Sequence, residues 1–524
     1  MTPNEDTRAA LEYHEATKHS YASIRVDMHY LDWANKPMEF KAYHDLPRIP
    51  LPTDFGIPVT PTLEALAPPP EGVGRGAPLD LPTLTTILYF SGGLTKKVTL
   101  ANGHEFYFRA AACAGALYPI EFYVVSGPLD GLAPGVYHFS PLDMHLRCLR
   151  EGDHRGYLAG AAPGEGVRGA TATVVLSAIT WRSSWKYQAR SYRYHFWDAG
   201  TILANLLAVA TSEGQGAAVV MGFIDDQVNH LLGLDGEGEK ALALIPLGRG
   251  LPAPGYGGEP SPIKPRVEPL SQREMPYPLI TAMHGASVLR TRGEAEAWAG
   301  ALERPTPPPG PGPRFPLETS KAIPSRPLGR VILRRGSTRF FSHLPVEFAQ
   351  LSTILARATE GFKADFLGGA SPIDTYLIAN AVEGIPAGAY YFSPAEGSLE
   401  LLRRGSFRGE AGYLCLEQDL GADAAATLFF LSDLRAVLKR FGNRGYRAAQ
   451  IQAGIIGGRT YLAAYALGLG ATGLTFYDDD VAEFFSPHAA GKDAIFVVAV
   501  GRSARGRSHR VERLRVAAPK RPGG

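Results

Sequence analysis

What this chain has little of narrows the choice before any motif is read. It has three cysteines, Cys113, Cys148 and Cys415, an odd number at wide spacing, from which neither a disulfide framework nor a thiolate metal site can be assembled. A reducing, cytoplasmic setting suits such usage. It also lacks an excess of either charge. With 53 Lys and Arg against 51 Asp and Glu, no long-range field selects nucleic acid or an acidic membrane, and the expected ligand is small or mostly uncharged. The first thirty residues hold no apolar signal-peptide core. The most apolar later stretch, Ile455 to Phe476, is interrupted by Arg459 and by glycines, and reads as a buried helix running into a strand, with no membrane span. At 524 residues and 45% hydrophobic content, the chain is too long for one core and too apolar for disorder. Two to four domains are expected.

What the chain does have is an internal repeat. Gly135-Val-Tyr-His-Phe-Ser-Pro141 returns as Gly388-Ala-Tyr-Tyr-Phe-Ser-Pro394, and Pro119-Ile-Glu-Phe-Tyr-Val returns as Pro372-Ile-Asp-Thr-Tyr-Leu, both at an offset of 253. Tyr192-Arg193 and Ala199-Gly200 return as Tyr446-Arg447 and Ala453-Gly454 at 254, and Leu84-Thr-Thr-Ile-Leu88 as Leu351-Ser-Thr-Ile-Leu355 at 267. So nearly constant an offset through unrelated patterns marks a duplication.

Within the first copy, the short apolar runs 121–125, 173–177, 217–221 and 241–246 are bounded by glycine or proline, as buried strands are. Leu203, Leu206, Leu207 and Ala210 fall at i, i+3, i+4 and i+7, one face of a helix. The copies therefore read as α+β. Proline-rich stretches at 46–82, 251–278 and 304–327 cannot pack as helix or central strand, and are either linkers or ordered surface loops. The expected organisation is an N-terminal segment 1–60, a first copy 78–250, a Pro-rich linker region 251–327, a second copy 328–505 and a basic tail 506–524.

Several segments recur in a specific order. The first copy has Arg109-Ala-Ala-Ala-Cys113-Ala114-Gly115-Ala116-Leu117-Tyr118-Pro119, then Trp185-Lys186-Tyr187-Gln-Ala-Arg190-Ser-Tyr192-Arg193, then Asp198-Ala-Gly200 opening the long helix, and it closes on Gly222-Phe223-Ile-Asp225-Asp226. The second copy has Arg334-Arg335-Gly336-Ser337-Thr338-Arg339 and ends in Gly470-Ala-Thr-Gly473-Leu474-Thr475-Phe476. This series, with Tyr13-His14-Glu15-Ala-Thr17-Lys18-His19-Ser20 at the N-terminus, resembles the SagB-type thiazoline/oxazoline dehydrogenases of the nitroreductase superfamily. The resemblance implies nitroreductase-like domains, each a mixed, mainly antiparallel sheet flanked by helices, that normally dimerise around FMN. A tandem copy would be a covalent pseudo-dimer, monomeric or forming a higher homo-oligomer.

An FMN phosphate is nearly a dianion, and paired arginines around a hydroxyl suit it. Arg335, Ser337 and Arg339, with Arg334 beside them, have that spacing, although a solvated basic surface at a domain start would look the same. Arg109 and the small-residue turn Cys113, Ala114, Gly115, Ala116 and Leu117 offer backbone against which a planar ring could lie. Leu474, Thr475 and Arg502 complete the cofactor set that the resemblance implies. Cys113 has no signal for a redox thiol and reads as a buried structural cysteine.

The resemblance places a Lys-Tyr pair in the proton-handling role, here Lys186 and Tyr187. A lysine serves as a base near neutral pH only when burial or a neighbouring cation lowers its pKa, and Arg182 and Arg190 lie four residues away on either side. The competing reading has Lys186 in solvent and Tyr187 in the core. In the second copy the pair aligns with Arg440 and Phe441, which removes the phenol.

Other signals carry less. Gly468-Leu-Gly470-Ala-Thr-Gly473 ends a helix and opens a strand, the reverse of a dinucleotide-binding turn. His14 and His19 are five apart and no metal is assigned. The tail from Arg502 to Lys520 reads as a solvated end, although it could reach nucleic acid or the FMN phosphate. Three functions remain open: an FMN-dependent oxidase of azoline rings in a ribosomal peptide, with peptide-modifying enzymes as partners; an NAD(P)H-dependent nitro- or quinone reductase acting on a small molecule; and a catalytically silent protein that binds a peptide or a partner. The two motif types survive once each, in opposite halves, which points to one composite flavin site.

Overall fold

The computed structural model describes residues 2–26, 29–68, 78–99, 103, 105–249, 252–304, 310–319, 323–504 and 511–512. The Gly74-Arg75-Gly76 stretch and nearly all of the tail 506–524 lie outside them. Among the described residues no helix is long and apolar enough to cross a membrane.

Each half is an antiparallel sheet clad in helices. The first half contributes β1 (Arg48–Pro50), β2 (Ile120–Ser126), β3 (Gly135–Ser140), β4 (His145–Glu151), β5 (Ala172–Ile179) and β6 (Glu239–Leu247), in the order β1-β4-β3-β2-β5-β6. The second contributes β7 (Arg314–Pro316), β8 (Asp374–Ala379), β9 (Gly388–Ser393), β10 (Ser398–Arg404), β11 (Ala426–Ser432), β12 (Gly470–Leu474) and β13 (Asp493–Gly501), in the order β12-β13-β11-β8-β9-β10-β7. β2, β5, β8 and β11 are buried at every position, which accounts for their continuous apolar runs: both faces of the sheet are covered.

The helices that build the centre are α1 (Arg8–Ala16), α2 (Thr180–Tyr187), α3 (Ser191–Ser212), α4 (Asp225–Leu232), α5 (Pro278–Ala286), α6 (Arg292–Trp298), α7 (Leu434–Phe441) and α8 (Arg444–Ala466). The long helices α3 and α8, one from each half, pack on one another through the middle of the molecule. A kink at Gln188 (φ 49°) separates α2 from α3, and Gly442 (φ 64°) does the same between α7 and α8. Because α3 begins at Ser191, Asp198 lies inside the helix and does not open it.

Buried charge ties the halves together crosswise. Arg190, just before α3, and Arg193 within it share Asp478 of the second half (2.9 and 2.6 Å). Arg444 and Arg447 of α8 share Asp225 of the first half (2.5 and 2.9 Å). In each triad one carboxylate compensates two guanidiniums in a site closed to water, where an unpaired charge would be prohibitive.

Two local expectations change. The run 217–221 is not a strand but a set of isolated bridges, one of which, Val219 to Ala364, crosses to the other half; its counterpart β12 spends its hydrogen bonds on β13 and is regular. The interval 251–327 holds more than a linker, since it contains α5 and α6. Arg193 donates to the His14 carbonyl (2.7 Å) and to Thr17 Oγ1 (3.0 Å), just as Arg447 donates to the His284 carbonyl (3.0 Å) and to Ser287 Oγ (2.8 Å). α1 and α5 are therefore equivalent, and the duplication extends to the N-terminal segment at an offset of 270.

Candidate functional site

The small-residue turn of the first half is strained and braced from below. Gly115, Ala116 and Tyr118 have positive φ (62°, 54° and 51°), a conformation costly for the two non-glycine residues. The brace is Asp198, which accepts the Ala114 N–H at Oδ1 (2.9 Å) and the Cys113 thiol at Oδ2 (3.2 Å). Tyr118 N–H donates in turn to Cys113 Sγ (3.1 Å). Burial raises the Asp198 carboxyl to about 7, against those hydrogen bonds, and pushes the Cys113 thiol up. Cys113 is thus a structural member of the turn.

Lys186 and Tyr187, at the end of α2, face this turn. A Cβ on Gly115 would lie 2.7 Å from the Tyr187 hydroxyl and 3.4 Å from Lys186 Nζ, so only glycine leaves room there. The Tyr187 ring stacks on Tyr194 (4.2 Å between centroids, 12° between planes), and Lys186 Nζ lies 5.2 Å from the Tyr187 centroid. Both side chains are half-buried. Burial first, and the charge of Arg339 second, hold the Lys186 ammonium below its ordinary pKa. The cation responsible comes from the other half of the chain. Arg182 and Arg190 are consumed elsewhere, Arg182 by Glu121 and Arg190 by Asp478.

The second half supplies the opposite wall. Arg335 donates its Nε to the Ala110 carbonyl (3.0 Å) and its Nη2 to the Arg109 carbonyl (3.2 Å), anchoring its segment to the start of the turn. Ser337 Oγ lies 3.2 Å from the Tyr461 hydroxyl, which also accepts the Gly473 N–H (2.5 Å). Tyr461 of α8 thereby links the arginine segment to the end of β12. Arg334 and Arg339 are exposed, and among the described residues neither guanidinium has a hydrogen-bond or ion-pair partner.

A nitroreductase family model matches residues 78–249 and 332–502. The chain belongs to the nitroreductase family. A crystal structure of a protein from Anabaena variabilis, described as a nitroreductase, superposes with a TM-score of 0.76 at 28% identity, covering 95% of this chain and 99% of that one. It therefore shares the two-half arrangement almost end to end. The nitroreductase-like protein MJ1384 of Methanocaldococcus jannaschii is 30% identical over 175 residues, 33% of this chain and 82% of that protein.

The donor set at this turn has the chemistry that the phosphate of a flavin nucleotide calls for. A glycine cradle lies at the surface, and the exposed Arg339 of the second half, whose charge reaches Lys186, has no counter-ion among the described residues. An anionic ligand relieves that arrangement. Lys186, Tyr187, Ala114, Gly115, Ala116, Arg335, Ser337 and Arg339 are the residues the fold brings together. Others in the expected set serve it indirectly. Arg109 spends its guanidinium on the Ile120 and Glu39 carbonyls (3.1 and 2.9 Å) and holds the turn from beneath. Leu117 packs with Trp181 and Trp185. Leu474 is buried, and Thr475 Oγ1 accepts from Gln418 (3.2 Å). Arg502 donates its Nε to the Pro345 carbonyl (2.8 Å). Asp198, Tyr194 and Tyr461 were not anticipated, because a lone acid or tyrosine inside a helix carries no signal in sequence until its partners are known.

At the opposite interface of this nitroreductase, residues 298–302 of the chain pack on the counterparts of the site residues, beside a cavity of about 730 Å³ that Trp298, Arg440 and Phe441 also line. Trp298 of α6 is buried, donates its indole N–H to the Phe441 carbonyl (2.9 Å) and packs 5.3 Å from the Phe441 ring. Arg440 donates to the Ala299 and Ala301 carbonyls (both 3.0 Å). Ala370 N–H donates to the Leu302 carbonyl (2.9 Å), and a Cβ on Gly369 would lie 2.6 Å from that oxygen. The counterparts of Lys186, Tyr187 and the glycine turn are all covered by residues 298–302.

Proposed function

We propose that this chain is an FMN-dependent oxidoreductase with a single composite flavin site, and that it dehydrogenates azoline rings, thiazoline or oxazoline, in a ribosomally made peptide. The observation that carries the reading is the placement of Lys186 Nζ and the Tyr187 hydroxyl directly at the Gly115 turn. Arg339 and Ser337 would hold the phosphate, and Arg335 would hold the two walls together. FMN, when bound, supplies the acceptor for a hydride.

The residues' own part is proton handling. Aromatising an azoline releases a proton from carbon along with the hydride, and a base must take it. Lys186 is suited to that because burial and Arg339 both favour its neutral amine. Tyr187 keeps its proton, its phenol being pushed well up by burial, and is a hydrogen-bond donor at the same surface. The stack with Tyr194 fixes its ring.

A second reading is reduction of nitro or quinone compounds by NAD(P)H, and the description of both relatives as nitroreductases favours its nitro branch. The deciding experiment starts with the spectrum of the purified protein. A yellow flavoprotein that converts a thiazoline peptide with consumption of oxygen supports the proposal. Anaerobic bleaching by NAD(P)H followed by reoxidation with a quinone supports the second reading. A colourless protein that FMN does not reconstitute would leave the catalytically silent alternative.

A further inference from the structure

Equivalent ends of the molecule are built alike and filled differently. At one end Lys18 lies 2.6 Å from Glu15, 2.8 Å from Asp479 and 3.7 Å from Asp493, and His14 lies 3.3 Å from Asp493. The offsets of 270 and 253 that relate the halves carry Lys18, Glu15, Asp479, Asp493 and His14 onto Val288, Gly285, Asp226, Lys240 and His284. The filling lysine has become a valine, the glutamate a glycine, and the acid at the base a lysine. What remains is a cavity of about 230 Å³ beside α4, β6 and α5, lined by Lys240, His284, Asp226, Asp235 and Glu237 among others.

Two donors occupy its base. Lys240 is 1% exposed and has no hydrogen-bond or ion-pair partner among the described residues. Asp235 and Glu237 act on it only at longer range, and burial with Arg447 brings its pKa down to about 8. His284 is 5% exposed, and its Nδ1 lies 3.1 Å from Arg447 Nη2. Arginine can only donate, so Nδ1 is the acceptor and the ring N–H is on Nε2. A buried ammonium without a counter-charge is costly. The rim carries three carboxylates against one exposed guanidinium, Arg290, so a simple anion meets a net negative rim and a simple cation meets Lys240.

We propose that this cavity binds a small zwitterion of the α-amino acid kind, its carboxylate held by Lys240 and His284 and its ammonium facing Asp226, Asp235 and Glu237. Calorimetric titration of the full-length holoprotein with L-alanine, acetate and methylammonium tests it. The expected result is saturable binding of one L-alanine per chain, at least tenfold tighter than either acetate or methylammonium and weakened at least tenfold in Lys240→Met. Asp226→Asn, a substitution at the rim, gives an independent reading: it should weaken L-alanine without weakening acetate. No saturable binding of L-alanine, acetate binding as tightly as L-alanine, or unchanged L-alanine affinity in Lys240→Met or Asp226→Asn would each overturn the proposal.

Discussion

Gly200 and Gly454 meet backbone to backbone where α3 crosses α8: a Cβ on Gly200 would lie 2.6 Å from Gly454 Cα, and one on Gly454 would lie 3.0 Å from Gly200 Cα. Neither neighbour is a flexible side-chain end, so the helices themselves would have to separate. Gly200→Ala or Gly454→Ala is expected to destabilise the chain by about 1–3 kcal/mol despite the higher helix propensity of alanine. Urea unfolding reads this as a lower midpoint at unchanged slope, and a midpoint equal to wild type would mean the crossing is looser than described.

The crosswise triads make a symmetrical prediction. Asp225→Asn strands Arg444 and Arg447, and Asp478→Asn strands Arg190 and Arg193, each removing the charge that compensates two buried guanidiniums. Both variants should lose about 3–5 kcal/mol. Equilibrium unfolding of the pair would contradict the pseudo-dimer if one substitution were costly and the other silent.

Asp198 links stability to pH. Its folded pKa, raised by burial from 3.8 to about 7, means that the folded chain binds a proton the unfolded chain has released between those values. This contribution is fully present below pH 3.8 and is lost as pH rises through 7. Relative to wild type, Asp198→Asn should therefore gain stability between pH 4 and 7, by at most about 4 kcal/mol at 1.36 kcal/mol per unit, and hold that difference above. A difference independent of pH would show that the carboxyl titrates normally.

Much of this was legible in the sequence, but only part of the site was. The repeat, the glycine turn, Lys186-Tyr187 and Arg335-x-Ser337-x-Arg339 could be read because each is a contiguous run with chemistry of its own. The equivalence of α1 and α5 could not, because only His14 and Ala16 of α1 are kept, as His284 and Ala286, and the offset changes from 253 to 270. Nor could the contacts of Trp298 to Leu302: these residues lie between two proline-rich runs, 251–278 and 304–327, and group with them as linker although 279–303 contains no proline. Arg182 and Arg190 were reasonable candidates for perturbing Lys186 by spacing alone. The fold gives that part to Arg339, which is 153 residues away along the chain.

Proton transfer to Lys186 predicts a particular pH profile. The neutral amine is the active form, so the rate should rise with pH through an apparent pKa below that of an ordinary lysine. Arg339→Gln, measured at saturating FMN, removes a like charge and should move that limb to higher pH. Lys186→Ala and Tyr187→Phe should abolish turnover with FMN still bound. An unmoved limb in Arg339→Gln, or flavin lost from either of the other two variants, would contradict the roles assigned.

The composite site is tested most directly by the ratio of FMN to chain, from the absorbance of flavin released by denaturing a fully reconstituted sample. The expected ratio is one, because Arg335 is anchored to the Arg109 and Ala110 carbonyls and Arg339 acts on Lys186 at one interface, while at the other residues 298–302 pack on the counterparts of Lys186, Tyr187 and the glycine turn. A ratio of two would contradict it.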